Sequence, residues 1–234
     1  MNGTVVLASQ APFILNATIR DNILFGADYN EDLYESVLNA CNLEPDLKTL
    51  GSSGDLTEIG ERGVTLSGGQ KARISIARCV YAQPAIALFD DVLSALDAST
   101  GKMIFDNLFD TKKKQRLLSN SAVILVTHAT HFLSRVDNIM VLVDGKSVFS
   151  GRWDEMKNAV EDADTHERDV LKYLCSSVQE GHGHECVACE SSEENKVDSH
   201  TAEDTNTDFN NGTGQEEENS ELKTGKFFSV LIEV

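Results

Sequence analysis

LSGGQKARISIARCVYAQPAIALFDD, residues 66–91, joins a hydroxyl and two glycines to a helical pattern, a proline and an apolar run that ends in two acids. Ile74, Ala77, Val80 and Tyr81 recur at helical spacing, which predicts a helix from Gly69 that Pro84 brings to a stop. Ser67, Gly68 and Gly69 open that helix. Their free amides and the positive end of its dipole suit a phosphate, and the missing side chains let an anion approach the backbone closely.

Short apolar runs alternate with helical patterns on the C-terminal side. Residues 85–89, 122–126 and 139–143 are expected as strands, and 98–109, 130–135 and 153–160 as helices. Asp144-Gly145 reads as a hairpin turn into a strand at 147–150. On the N-terminal side, residues 4–8 form a strand leading to Gln10. Asn30 caps a helix over 31–41 that carries Leu33, Val37, Leu38 and Cys41 on one face, and residues 50–69 show neither periodicity. Strands that are apolar along their whole length and alternate with helices predict an α/β fold, its parallel sheet covered on both faces.

Open parallel sheets bind ligands beyond the carboxyl ends of their strands. Asp90 and Asp91 follow one predicted strand and His128 follows another. A carboxylate at such an edge suits Mg²⁺, which prefers hard oxygen ligands, and the second acid is placed to orient or deprotonate an attacking water. Singly, each has a plainer reading: an Asp after a strand often caps the next turn, and a lone His is usually a satisfied side chain.

Charge is unevenly spread. Of the formal net charge of -18, the segment 161–234 holds most, with few branched apolar residues among many Ser, Thr, Asn, Gly and Glu. That mixture cannot bury enough surface to offset its ordering entropy, so a largely disordered acidic tail is expected, and phosphate backbones would be repelled by it. Nucleic acid is therefore not an expected partner. The five cysteines are odd in number, which fits a reduced chain better than a disulfide framework. No apolar run approaches the roughly 20 residues of a membrane helix, and Met1 opens no targeting segment.

With these residues in place the sequence resembles the nucleotide-binding domain of ATP-binding-cassette transporters over most of residues 4–153. Leu66, Ser67, Gly68, Gly69 and Gln70 match the signature motif, and residues 85–90 match Walker B. Ser94-Ala-Leu-Asp97 resembles the D-loop, His128 the switch histidine and Gln10 the Q-loop glutamine. NATIRDNILFG at 16–26 and IGERGVTLSGGQ at 59–70 are similar to the first of the two cassettes in the multidrug-resistance-associated (ABCC) subfamily. Asp91 agrees, since such cassettes often carry Asp where a catalytic Glu is expected.

The resemblance implies a partial P-loop NTPase (RecA-like) sheet, a helical signature subdomain at about 12–82 within a domain spanning 1–160, and a linker at 161–234. It implies ATP and Mg²⁺ as cofactors, Asp91, His128 and Gln10 as catalytic residues, and Asp90 and Gln10 as metal ligands. Leu66, Ser67, Gly68, Gly69, Gln70 and Asp97 would contact nucleotide. The implied partners are a second nucleotide-binding domain and transmembrane domains, with the chain at the cytosolic face of a membrane.

One feature departs from the family pattern: G-x-x-x-x-G-K-[ST], the phosphate-cradling loop, occurs nowhere in the chain. The sequence is accordingly expected to begin downstream of that loop, as part of a larger transporter, with marginal stability because the family's central strand is missing. LSGGQ, which in the family completes the site on the opposite cassette, would be the competence that remains. The alternative is a non-catalytic regulatory or interaction module.

In the tail, His182, His184, Cys186 and Cys189 form a quartet with Zn²⁺ donors, spaced more tightly than familiar zinc modules. Ser191, Ser192, Ser199 and Thr201 lie among acids as phosphorylation candidates. The apolar octet 227–234 is expected as an interfacial elbow or an exposed end prone to aggregation.

Overall fold

The computed structural model describes residues 3–60, 65–113, 116–162, 165–180 and 228–233. In chain order the elements are β1 (Val5–Ala8), β2 (Ala17–Thr18), α1 (Ile19–Leu24), α2 (Glu31–Ala40), α3 (Glu44–Thr49) and β3 (Glu58–Ile59). They continue with α4 (Gly68–Tyr81), β4 (Ile86–Asp90), α5 (Ala98–Leu108), β5 (Ala122–Thr127), β6 (Asn138–Val143) and β7 (Lys146–Gly151). α6 (Trp153–Asp162), α7 (Thr165–Glu180) and β8 (Phe228–Glu233) complete them, with 3₁₀ turns at Gly51–Leu56 and Thr130–Arg135.

Six strands form one sheet in the order β1-β4-β5-β8-β6-β7. β1, β4 and β5 are mutually parallel, as the α/β pattern predicts. β6 and β7 form the expected hairpin, whose turn residues Asp144 (φ 48°) and Gly145 (φ 76°) both adopt the left-handed conformation that a tight hairpin turn of matching twist requires.

Sequence dictates the helix starts. The Asn30 side chain accepts from the Leu33 amide at α2, and the Ser67 side chain accepts from Gln70 at α4. α1 and α3 lie where no helix was expected. The first is only six residues long, capped by Thr18 accepting from the Asp21 amide, too short for a periodic pattern to show. The region 50–69 likewise holds a 3₁₀ turn and the short strand β3.

Alternation along the sheet strands corrects one expectation. Ala87, Phe89, Val123, Leu125, Ile139 and Val141 are fully buried on one face. Behind them Phe105 stacks on Phe132 at 3.9 Å, and Phe89 meets Phe109 edge-on at 4.9 Å. The intervening residues are much less covered: Val5 is 58% exposed, Leu7 60% and Ile86 38%, while Leu88, Ile124, Val126, Met140 and Leu142 are half-buried. The strands are apolar on both sides, yet the described helices bury mainly one. An apolar strand records what its sequence would accept on each face, not what is there to cover it.

Two further differences concern the C-terminal third. The acidic tail was expected from residue 161, but α7 folds onto α6 and the turn Thr130–Arg135, burying Val170, Leu171, Leu174 and Val178. Those four recur at helical spacing, a signal that the net charge of the surrounding segment masks. The octet read as an elbow or exposed end supplies β8, hydrogen-bonded between β5 and β6. Residues 181–227, with the His/Cys quartet and the phosphorylation candidates, lie outside the described residues. Among the described residues no helix is long and apolar enough to cross a membrane.

Candidate functional site

Three parallel strands end side by side, and Asp91 ties those ends together. Its backbone amide donates to the Val126 carbonyl at 2.9 Å, two residues before His128. Its Oδ2 accepts from Gln10 Nε2 at 3.1 Å, two residues beyond β1. The hydroxyl of Ser94 closes the following turn by donating to the Asp91 carbonyl at 2.7 Å. Asp91 is 8% exposed and takes φ 46°, a left-handed conformation that Asp tolerates better than most residues.

Asp90, the last residue of β4, pairs in register with Val126 and is exposed. By strand alternation it falls on the same side as Ile86 and Leu88, the less covered face. His128 is also exposed. It follows Thr127, whose hydroxyl accepts from the Ala129 amide at 3.0 Å, and its own carbonyl accepts from Thr130. Gln10, Asp90, Asp91 and His128 are thus brought to one edge, as their sequence positions predict.

The residues of LSGGQ stand at the start of α4. Leu66 is buried and anchors the turn. Ser67 and Gln70 close a capping box: the Gln70 amide donates to Ser67 Oγ at 3.2 Å, and the Ser67 amide donates to Gln70 Oε1 at 2.9 Å. Gln70 Nε2 also donates to Asp46, which pairs with Arg73 at 2.6 Å. The Gln70 side chain is therefore held by the fold. The first helical amides, at Gly68 and Gly69, precede the earliest intrahelical bond, from Lys71 to Ser67.

The two glycines differ. A Cβ at Gly68 would meet nothing within 4 Å, so that position opens outward. A Cβ at Gly69 would lie 3.3 Å from the Ala95 carbonyl, which sets the helix start against the loop after Asp91.

Asp97, in that same loop, is the N-cap of α5. Its carboxylate accepts from Ser99 Oγ at 2.6 Å and from the Thr100 amide at 3.0 Å. The Ser99 hydroxyl, then the Thr100 amide, hold this exposed carboxyl well below its usual range.

No three His, Cys, Asp or Glu side chains cluster as a metal cage among the described residues. Asp90 alone offers an exposed carboxylate at the strand edge, a donor type that fits Mg²⁺, which retains waters and completes its shell with ligand oxygens. A phosphate chain would find no Gly-rich lysine loop in this sequence. A separate groove of about 580 Å³, lined by residues including Phe13, Asn16, Gly60, Thr65 and Lys71, contains none of the edge groups. The salt-bridged trio Arg135, Asp106 and Asp110 was not singled out from sequence. Its members come from α5, the loop after it and the 3₁₀ turn, with no local motif to mark them.

A profile of the ABC transporter family matches residues 1–94. Over 173 residues, 74% of its length, the chain is 47% identical to "ABC transporter C family member 8" of Dictyostelium discoideum, covering 10% of that protein. It is 49% identical over 153 residues, 65% of its length, to human "ATP-binding cassette sub-family C member 2", again covering 10% of the relative. Against the "Oligomycin resistance ATP-dependent permease YOR1" of Saccharomyces cerevisiae it is 45% identical over 157 residues, 67% of its length and 10% of that protein.

Proposed function

This chain is part of the nucleotide-binding domain of an ABC transporter, with relatives in subfamily C, and we propose that in its parent it couples ATP binding and hydrolysis to export of amphipathic organic anions or conjugates. The parent's second nucleotide-binding domain and transmembrane domains are its proposed partners, at the cytosolic face of a membrane. Residues 1–160 belong to the first cassette, with 12–82 as its helical subdomain, and 161–234 lead toward the next domain.

In this reading Asp91 is the general base, Gln10 orients it, and His128 senses the γ-phosphate. Asp90 would hold Mg²⁺, aided by the Gln10 carbonyl oxygen, since the Gln10 nitrogen is engaged by Asp91. The cation, when bound, would neutralise charge on phosphate oxygens. Asp97 and the LSGGQ residues face the nucleotide of the opposite cassette.

The chain has no G-x-x-x-x-G-K-[ST], which favours a second reading for it in isolation: a non-catalytic module that donates its signature motif to a partner cassette. The observation that carries this is the open position at Gly68, beside amides not used within the helix.

The test mixes the chain with a separately folded second cassette of a subfamily C transporter that has its own P-loop, and follows association by analytical ultracentrifugation. Association should require MgATP and be abolished by Gly68→Asp, a substitution the open space allows the fold to accept. Association indifferent to nucleotide or to Gly68 would overturn the proposal. Calorimetric titration of the chain alone with MgATP should show at most weak millimolar binding.

A further inference from the structure

The sheet contains a gap that the chain fills from far away. β5 and β6 follow one another closely in sequence, joined through Thr130–Arg135, yet they are not neighbours in the sheet. β8 lies between them and is antiparallel to both, so β5 and β6 run the same way on either side of a strand-wide slot. Every residue from Ile124 to Thr127 has a partner in β8, as does every residue from Asn138 to Val143. Without it these backbone groups, in the middle of the sheet, would lose their ladder on one side. Main-chain donors and acceptors left there need other partners, and an added strand supplies them in order along both edges.

β8 alternates in sequence, and its register sets that alternation against two kinds of position in β6. Phe228, Val230 and Ile232 are in register with Val143, Val141 and Ile139, which are 5%, 0% and 0% exposed. Ser229, Leu231 and Glu233 are in register with Leu142, Met140 and Asn138, all half-buried. In register, the apolar residues of the strand thus stand opposite buried positions of β6 at all three places, and polar ones opposite half-buried positions at two of three. A slip by one residue would reverse this.

We infer that the slot between β5 and β6 is a strand-binding site, that its ligand in this chain is Phe228–Glu233, and that this strand is a separable plug which the sheet also accepts in trans. The ligand class is an extended peptide with apolar residues at alternate positions, bound mainly through its main chain. Its separability follows from topology: β8 joins the described fold chiefly through its ladders with β5 and β6, and residues 181–227 divide it from α7. The inference stands apart from nucleotide chemistry and from the role of LSGGQ.

Hydrogen exchange read by mass spectrometry tests it on the full chain. Amides of residues 228–233 should be protected together with those of 124–127 and 138–143. Val230→Pro, at the position in register with both Thr127 and Val141, removes one ladder donor and sets a rigid ring in the strand, and should reduce protection of all three segments by about 100-fold. Free exchange at 228–233 while β5 and β6 stay protected would overturn the assignment. A chain truncated before residue 227 should regain protection, or solubility if it misfolds, on refolding with a synthetic peptide of residues 227–234. A peptide with adjacent residues exchanged, which shifts its apolar residues by one register position, should not restore it. A truncated chain protected without peptide, or one that the native peptide cannot restore, would overturn the inference.

Discussion

Gln10 Nε2 donates to Asp91 Oδ2 at 3.1 Å, although the two residues are separated by 81 positions. With the Asp91 amide bonded to Val126, this contact fixes the ends of β1, β4 and β5 relative to one another. Hydrogen bonds to charged groups contribute about 1.5–3 kcal/mol, less where solvent competes. A double-mutant cycle of Gln10→Ala and Asp91→Ala, followed by urea unfolding, should give a coupling of about 1 kcal/mol. Additive effects would show that the contact does not hold the edge together.

On the proposal that Asp91 is the general base of a longer parent, the same geometry would bear on rate. Asp is one methylene shorter than Glu, and a 1 Å misplacement of a catalytic group costs about 100-fold. Single-turnover hydrolysis at that site should rise by about this factor in Asp91→Glu. An unchanged rate would remove the reason for reading Asp91 as a slow base.

The two glycines that open α4 should respond unequally to the same change. Gly68→Ala enters open space and removes unfolded-state freedom, so stability should stay level or rise by about 0.4–1 kcal/mol. Gly69→Ala brings a methyl to 3.3 Å from the Ala95 carbonyl, so its gain should be smaller than that of Gly68→Ala or be cancelled by the shift the loop must make. Thermal melts of the two variants compare them directly.

Acid should weaken the fold through α5 and its neighbours. Burial alone would raise the Asp110 carboxyl, but the Arg135 guanidinium and the Lys112 amide outweigh it and leave it below its ordinary 3.8. A carboxyl held low in the folded state adds stability that is complete above the unfolded value and is lost as pH falls through the folded one. Urea midpoints should therefore be steady from pH 7 to 5 and drop below about pH 4. Arg135→Met should lower the plateau and flatten the acid limb; an unaltered limb would show that the pair carries no pH dependence.

Thiol chemistry offers a check on packing. Cys41 and Cys79 are 0% and 1% exposed. Burial raises both thiols, Cys79 to about 12, so neither forms the reactive thiolate near neutral pH. Alkylation at pH 8, mapped by peptide mass spectrometry, should label them only at the rate of global unfolding. Fast labelling of Cys79 would contradict the contact of α4 with β1.

Much of the site was readable because its groups stand next to strong local signals. Asp90 and Asp91 close an apolar strand, His128 follows another, and Ser67 precedes a fourteen-residue helix with a capping residue at the right offset. The hydrogen bond between Gln10 and Asp91 was not readable, since it arises only when β1 lies beside β4. Burial on one face only, the helix α7 inside an acidic segment and the placement of β8 were missed for a related reason. Each depends on which partner is present, whereas periodicity reports only what a segment is able to cover.

Because the strand at 228–233 belongs in the middle of the sheet, a nascent chain leaving the ribosome cannot finish this β-sheet until that strand follows β5, β6 and α7 out of the tunnel. Ile124 must wait for Glu233, and so distant a closure makes this the slow step of folding. During that wait two strand edges stand open, which makes early chaperone contact, or capture by a neighbouring nascent chain, a matter of timing during translation.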